Sequence, residues 1–205
     1  MHNTLRNLGR SILAVLIIFE FLNLIKILHF TLDFTWFGLM ITSGLALIVI
    51  ETISYYTNKN TREPILGIVY FMASISVLFD ALSDIFHFYS SFYYTDNILH
   101  FLGGGCVALC IYSVIKAYLD AEKNKLGNFS QVFFSVCTAS FLGTLYEIEE
   151  YSESYFFGFN RLGDGFDTAN DLLMNNLGAL FFTLFIFYAF PRMLKSSKTE
   201  QISHS

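Results

Sequence analysis

Six long apolar stretches leave this chain few ways to fold. A helix needs about 20 apolar residues to cross the hydrocarbon of a bilayer. Runs of that length lie near residues 11–30, 34–55, 65–88, 97–119, 129–152 and 168–190. In lipid, each backbone N–H and C=O must find its partner within the protein, which a helix achieves inside one segment. The sequence therefore predicts an all-α fold: a polytopic membrane helix bundle with six transmembrane helices. Only 14% of the residues are charged, against roughly 25% in a soluble domain. Twenty-four Phe and twelve Tyr suit lipid-facing surface and interfacial belts, where Tyr89, Tyr93, Tyr94, Tyr151 and Tyr155 are expected as anchors. Two prolines and the absence of a Ser/Gly tract point to a single integral domain over residues 1–205.

The first apolar run has a basic start and resembles a signal peptide. No small-residue cleavage site follows, and Glu20, Asn23 and Lys26 continue the pattern, so an uncleaved first helix is expected. No lipidation motif stands at either end. Cys106, Cys110 and Cys137 lie in apolar runs without a CxxC pair, which reads as small residues packing between helices. The net charge of −5 and the scattered basic residues point away from nucleic acid as a partner.

The loops give an orientation. Arg6, Arg10, Lys59, Arg62, Lys116, Lys123, Lys125, Arg192, Lys195 and Lys198 fall on one side of six crossings. The positive-inside rule makes that side, and both termini, cytoplasmic. The expected home is the cytoplasmic (inner) membrane of a bacterium. Eleven of the seventeen acidic residues then belong to the outer half, with only Lys26 and Arg161 as basic company.

The acidic residues follow helical spacing. Asp80, Asp84 and His87 are spaced i, i+4, i+7, and Asp96 and His100 i, i+4, so each set falls on one helix face. The short loop between them predicts two polar stripes side by side. The fifth span adds Glu147 and Glu150 on one face; the sixth adds Asp171 and Asn175, with Arg161 in the preceding loop. Glycines below these patches, Gly103, Gly143 and Gly178, would let helices approach closely. Charges here cost roughly 2.5–3.5 kcal/mol each at the bilayer centre, so something must compensate.

One divalent cation would do so: magnesium, manganese, calcium or zinc, held by Asp80, Asp84, His87, Asp96, His100, Glu147, Glu150 and Asp171. The same groups suit general acid–base work, with Asp84, His87, His100, Glu147 and Glu150 as catalytic candidates. Arg161 and Asn175 would meet substrate, the arginine fork suiting phosphate or carboxylate. No HExxH, Walker or dinucleotide motif is present. Against these readings, Asp80, Asp84 and His87 would equally serve as hydrogen-bonding groups across the bundle. Asp33, Glu149 and Glu153 read as solvated surface, and Asp164 or Asp167 as an N-cap for the last helix.

These residues resemble the VanZ-like membrane proteins over the second half of the chain, and more closely the bacterial YjdF-like family. The VanZ-like pattern runs Asp-Lys-x-x-His-Phe, Glu-x-x-Gln, Arg, then Asp-x3-Asn-x2-Gly. Asp96, His100 and Phe101 match its first part, with Asn97 for lysine. Glu147 matches the glutamate and Glu150 replaces glutamine; Arg161, Asp171, Asn175 and Gly178 follow. The Asp80, Asp84 and His87 stripe resembles the YjdF-like family. The resemblance implies a role at the cell envelope, and the lost lysine and extra glutamate favour a cation. Three function classes follow: a divalent-cation-dependent enzyme or binding protein acting on a lipid-linked or phosphate-bearing envelope substrate, a cation- or proton-coupled transporter, or a membrane scaffold. The orientation has a direct check. A membrane-impermeant maleimide is expected to label Asn160→Cys in intact cells and to spare Asn60→Cys; the reverse pattern would invert the topology.

Overall fold

The computed structural model describes residues 2–61, 67–123, 126–158 and 162–202. Arg62, Lys125, Asn160 and Arg161, which entered the reading of the loops and site, lie outside the described residues. Every regular element among the described residues is a helix: α1 His2–Leu24, α2 Trp36–Thr61, α3 Gly67–Ile85, α4 Phe88–Ser91, α5 Thr95–Glu122, α6 Asn128–Phe157 and α7 Gly165–Ile202. Six of them are long and apolar enough to cross a membrane, over Thr4–Leu24, Trp36–Asn60, Gly67–Ile85, Thr95–Glu122, Asn128–Phe156 and Gly165–Tyr188.

The expected bounds shift most in the first span. It lies nearer the N-terminus than 11–30 because Asn23 stops it. The Asn23 amide donates to the Phe19 carbonyl at 2.9 Å, and its Oδ1 accepts from Phe30 N at 3.1 Å. Lys26 takes a left-handed φ of 63°. The apolar residues that follow turn back instead of extending the helix, and Phe30 packs edge-on against Phe19. The third span likewise stops at Ile85, short of 88, because His87 has φ 57°. Caps mark the next starts: Thr35 Oγ1 accepts from Gly38 N at 2.9 Å on α2. On α7, Asp164 Oδ1 accepts from Phe166 N and Asp167 N at 2.9 and 3.0 Å, the N-cap expected of it.

The helices form two groups of three. α1 packs on α2 and α3, α6 packs on α7, and α5 joins the groups by touching α2, α3, α6 and α7. The closest of these contacts is α5 on α7. A Cβ on Gly104 would collide with the Asn175 backbone, and one on Gly178 with the Phe101 carbonyl. Ala108, Ala139 and Ala179 fill the seam below them. Gly104 thus takes the packing role expected of Gly103, at which a Cβ would meet only Ser76 Oγ at 4.0 Å. At the other end of the bundle, Arg10, Glu51 and Tyr70 tie α1, α2 and α3 together. Arg10 Nη2 donates to Glu51 Oε2 at 2.6 Å, and the Tyr70 hydroxyl donates to the same carboxylate.

Gly178→Val is expected to destabilise the protein by about 1–3 kcal/mol, the usual cost of overpacking. Gly44→Ala, where nothing lies within 4 Å, should leave stability unchanged or slightly raised. Thermal unfolding in detergent separates the two; equal midpoints would remove the close α5–α7 contact.

Candidate functional site

Three helices bring their polar residues together around one imidazole. His100 lies on α5, one turn below Asp96. Its Nε2 is 3.4 Å from Asp96 Oδ1 and 3.8 Å from Asp171 Oδ1 on α7. Its Nδ1 faces Asn175 Nδ2 at 3.1 Å and Glu147 Oε1 on α6 at 3.7 Å. The i, i+4 spacing that puts Asp96 over His100 also puts Asp171 over Asn175, so the stripes of α5 and α7 meet. Gly143 on α6 lies against the Asn175 side chain, and Tyr146 presents its ring edge-on to His100 at 5.8 Å. Above, Asn170 Nδ2 donates to Asn97 Oδ1 at 2.8 Å and links α7 to α5.

Most of this cluster is shut off. His100, Glu147, Glu150, Asp171 and Asn175 are all buried, Asp171 to 1% exposure. Asp171 Oδ1 is buried and has no hydrogen-bond partner among the described residues. Nδ1 thus meets Asn175 and Glu147, and Nε2 lies between Asp96 and Asp171. Two sets of ligand atoms lie close enough to share an ion: Asp96, His100 and Asp171, and His100, Glu147 and Glu150. His100 belongs to both.

Two of the three residues of the α3 stripe, Asp84 and His87, go elsewhere, which corrects the expected side-by-side arrangement for them. His87 is not on the helix: the left-handed turn lifts it out, and its Nδ1 pairs with Asp33 Oδ1 at 2.8 Å while Nε2 meets Thr31 Oγ1 at 3.0 Å. Asp84 Oδ1 accepts from the backbone N–H groups of Asp33 and Phe34 at 2.7 and 2.9 Å. These two residues anchor the loop between α1 and α2, the hydrogen-bonding role weighed against a ligand role. Asp80 accepts a hydrogen bond from the Tyr89 hydroxyl and lines the same cavity as Asp96 and His100. Neither ion-sized group includes Asp80, Asp84 or His87.

Two residues expected at the solvated surface are not there. Glu153 is 5% exposed; it extends the i, i+3 progression of Glu147 and Glu150, the signal that would have found it. Asp33 also receives the Ser90 hydroxyl and N–H at 2.9 and 3.1 Å. It sits in a loop, where no helical spacing predicts a partner. Partial burial pulls the Asp33 carboxyl up, but the bonds from His87 and Ser90 outweigh it and hold the group below its ordinary value. Burial, reinforced by the charge of Asp80, pushes the Tyr89 phenol well above its own and keeps it a donor.

Fold and site together define a multi-pass integral membrane protein with a buried acid–imidazole cluster near one end of its bundle. The chain belongs to the family of predicted membrane proteins designated DUF2238, which matches residues 10–192. No curated protein and no solved structure matches it.

A carboxyl whose folded value is depressed stabilises the fold above its unfolded value, and that stability is lost as pH falls through the folded one. Hydrogen-exchange protection of the Ser90 amide, which donates to Asp33 Oδ2, should therefore hold from neutral pH down to about 3.9 and fail below it. Asp33→Asn should weaken it throughout. Equal protection in wild type and variant would remove Asp33 as the anchor.

Proposed function

We propose that the protein is an envelope-associated enzyme or binding protein of a bacterial inner membrane, with both termini cytoplasmic. Its outward-facing cluster binds one divalent cation and presents it to a lipid-linked or phosphate-bearing group. The observation that carries this reading is His100 set between carboxylates from three helices, with a buried Asp171 oxygen lacking a hydrogen bond among the described residues. Buried carboxylates at this density need a counter-charge, and a cation supplies it. An imidazole beside oxygen donors suits manganese or zinc better than calcium.

Within the cluster the roles divide by imidazole face. Asp96, Asp171 and His100 Nε2 form the better cation set, because Asn175 occupies the Nδ1 side. Glu147 and Glu150, on that other side, are placed to hold or relay a proton. Arg161, in the loop before α7, is assigned to the anionic substrate. Asp80 borders the cluster through Tyr89, while Asp84 and His87 act on the loop. The matches to the VanZ-like pattern at Asp96, His100, Glu147, Asp171 and Asn175 support an envelope role.

A coupled transporter would use the same carboxylates but needs polar steps toward the opposite side. Glu20 is met by Ser43 at 2.9 Å, Glu51 by Arg10, and Gln131 by the Leu126 carbonyl. None of the three lines the cavity. Each has a local partner, which favours a one-sided site over a transport path and over a scaffold without ligand.

Calorimetric titration of the purified protein with manganese or zinc is expected to give one ion per chain. At a free concentration of about 100 times Kd the ion should stabilise the fold by about 2.7 kcal/mol. Asp171→Asn and His100→Ala should weaken binding by tenfold or more, as loss of supporting contacts alone costs roughly 10–100-fold. Asp84→Asn should bind as wild type does. No ion in wild type would end the cation reading, and cation flux into liposomes would favour the transporter.

A further inference from the structure

A cavity of about 320 Å³ runs down the bundle from the cluster, between α2, α3, α5 and α6. At one end Asp80, Tyr89, Asp96, His100 and Asn175 face it. Along α5 its lining extends from Asp96 to Ile111, roughly 22 Å at 1.5 Å per residue. The deep part is lined by Ile50, Ile53, Ala73, Val107, Cys110 and Ile111. Apolar cavities of about 150 Å³ already stay dry and take up small apolar molecules. This one is larger, elongated and carries its ionisable Asp and His groups at its head.

Part of the cavity wall is also exposed. Two of its lining residues, Val49 on α2 and Leu142 on α6, are 51% and 40% exposed. Both lie near the middle of their spans, Trp36–Asn60 and Asn128–Phe156. The principal contacts of α2 are with α1, α3 and α5, and those of α6 with α5 and α7, so the space between α2 and α6 lies over α5. At that depth an exposed wall meets hydrocarbon chains, not water.

We infer that this cavity is a lipid site: one hydrocarbon chain of a lipid phosphate enters between Val49 and Leu142 and lies along α5, with its phosphate at the Asp96–His100 end. Among the described residues no Lys or Arg lines the cavity, so the phosphate approaches carboxylates and is held through a divalent cation. In that respect the inference rests on the proposed cation site. A chain leaving the bilayer for the cavity exchanges one apolar medium for another. The headgroup therefore supplies the affinity, and the chamber selects which chain fits.

The test uses the full-length protein in vesicles containing a mono-acyl glycerol phosphate with a diazirine at the end of its chain. Illumination with manganese present is expected to label the deep residues Ile53, Cys110 or Ile111. Gly103→Leu should cut that label roughly tenfold, the effect of an overpacking cost near 1.4 kcal/mol, while manganese binding persists. A Cβ at Gly103 has only Ser76 Oγ nearby, at 4.0 Å, and Ala46→Leu on the facing wall is a second, independent filling. Label confined to outward-facing residues such as Phe141 and Phe134, or deep label unaffected by both fillings, would overturn the chain site. The two proposals fail separately. Deep label that survives chelation and His100→Ala keeps the chain site and removes the cation; manganese binding without deep label does the opposite.

Discussion

The close approach of α5 and α7 is the contact on which the rest depends. Gly104 and Gly178 bring each helix against the backbone of the other. Helices in a bilayer gain no hydrophobic drive from meeting, so backbone-to-backbone packing of this kind must hold them. It sets the distance across which His100 faces Asp171 and Asn175. A bulkier seam would part those groups, and each would then sit in hydrocarbon without its partner. The seam is therefore both the mechanical centre of the bundle and the scale on which its polar chemistry is laid out.

Around that seam the molecule is polarised along its length. Near one end of α1, α2 and α3, Arg10 pairs with Glu51, and Tyr70 completes the carboxylate's hydrogen bonding. That is a closed arrangement of opposite charges. Near the other end, four carboxyl groups from α5, α6 and α7 crowd toward one imidazole, and among the described residues no lysine or arginine lines the cavity it faces. The same fold thus neutralises charge at one end and concentrates it at the other, the usual mark of a place kept for chemistry rather than for packing.

Much of this was legible from residue order. Six spans follow from apolar run length. The meeting of Asp96, His100, Glu147, Glu150, Asp171 and Asn175 follows from helical spacing and from alternating span direction, because both rules hold as long as the residues stay helical. They failed where the backbone leaves the helix. His87 belongs to the stripe of Asp80 and Asp84 only if α3 continues, and a single left-handed residue removed it. Asp33 found its partners through a loop, which has no period to read. Asn23 ended α1 inside a largely apolar run, where its side-chain amide bonds back to Phe19 and on to Phe30. Gly103 and Gly104 are adjacent, and spacing favoured the one that meets only Ser76 over the one that touches α7.

The pairing of the two loops has a consequence for how such a molecule changes over time. The Asp33–His87 bond and the Asp84 contacts fasten the α1–α2 connection to the α3–α4 turn, and from that turn Tyr89 reaches the rim of the cavity. The polar rim is thus framed in part by a connecting segment, while the interior and the wall between α2 and α6 are framed by the spans. Substitutions in a few connecting residues can reshape that rim without disturbing the helices behind it, altering what the rim admits while the bundle itself stays intact.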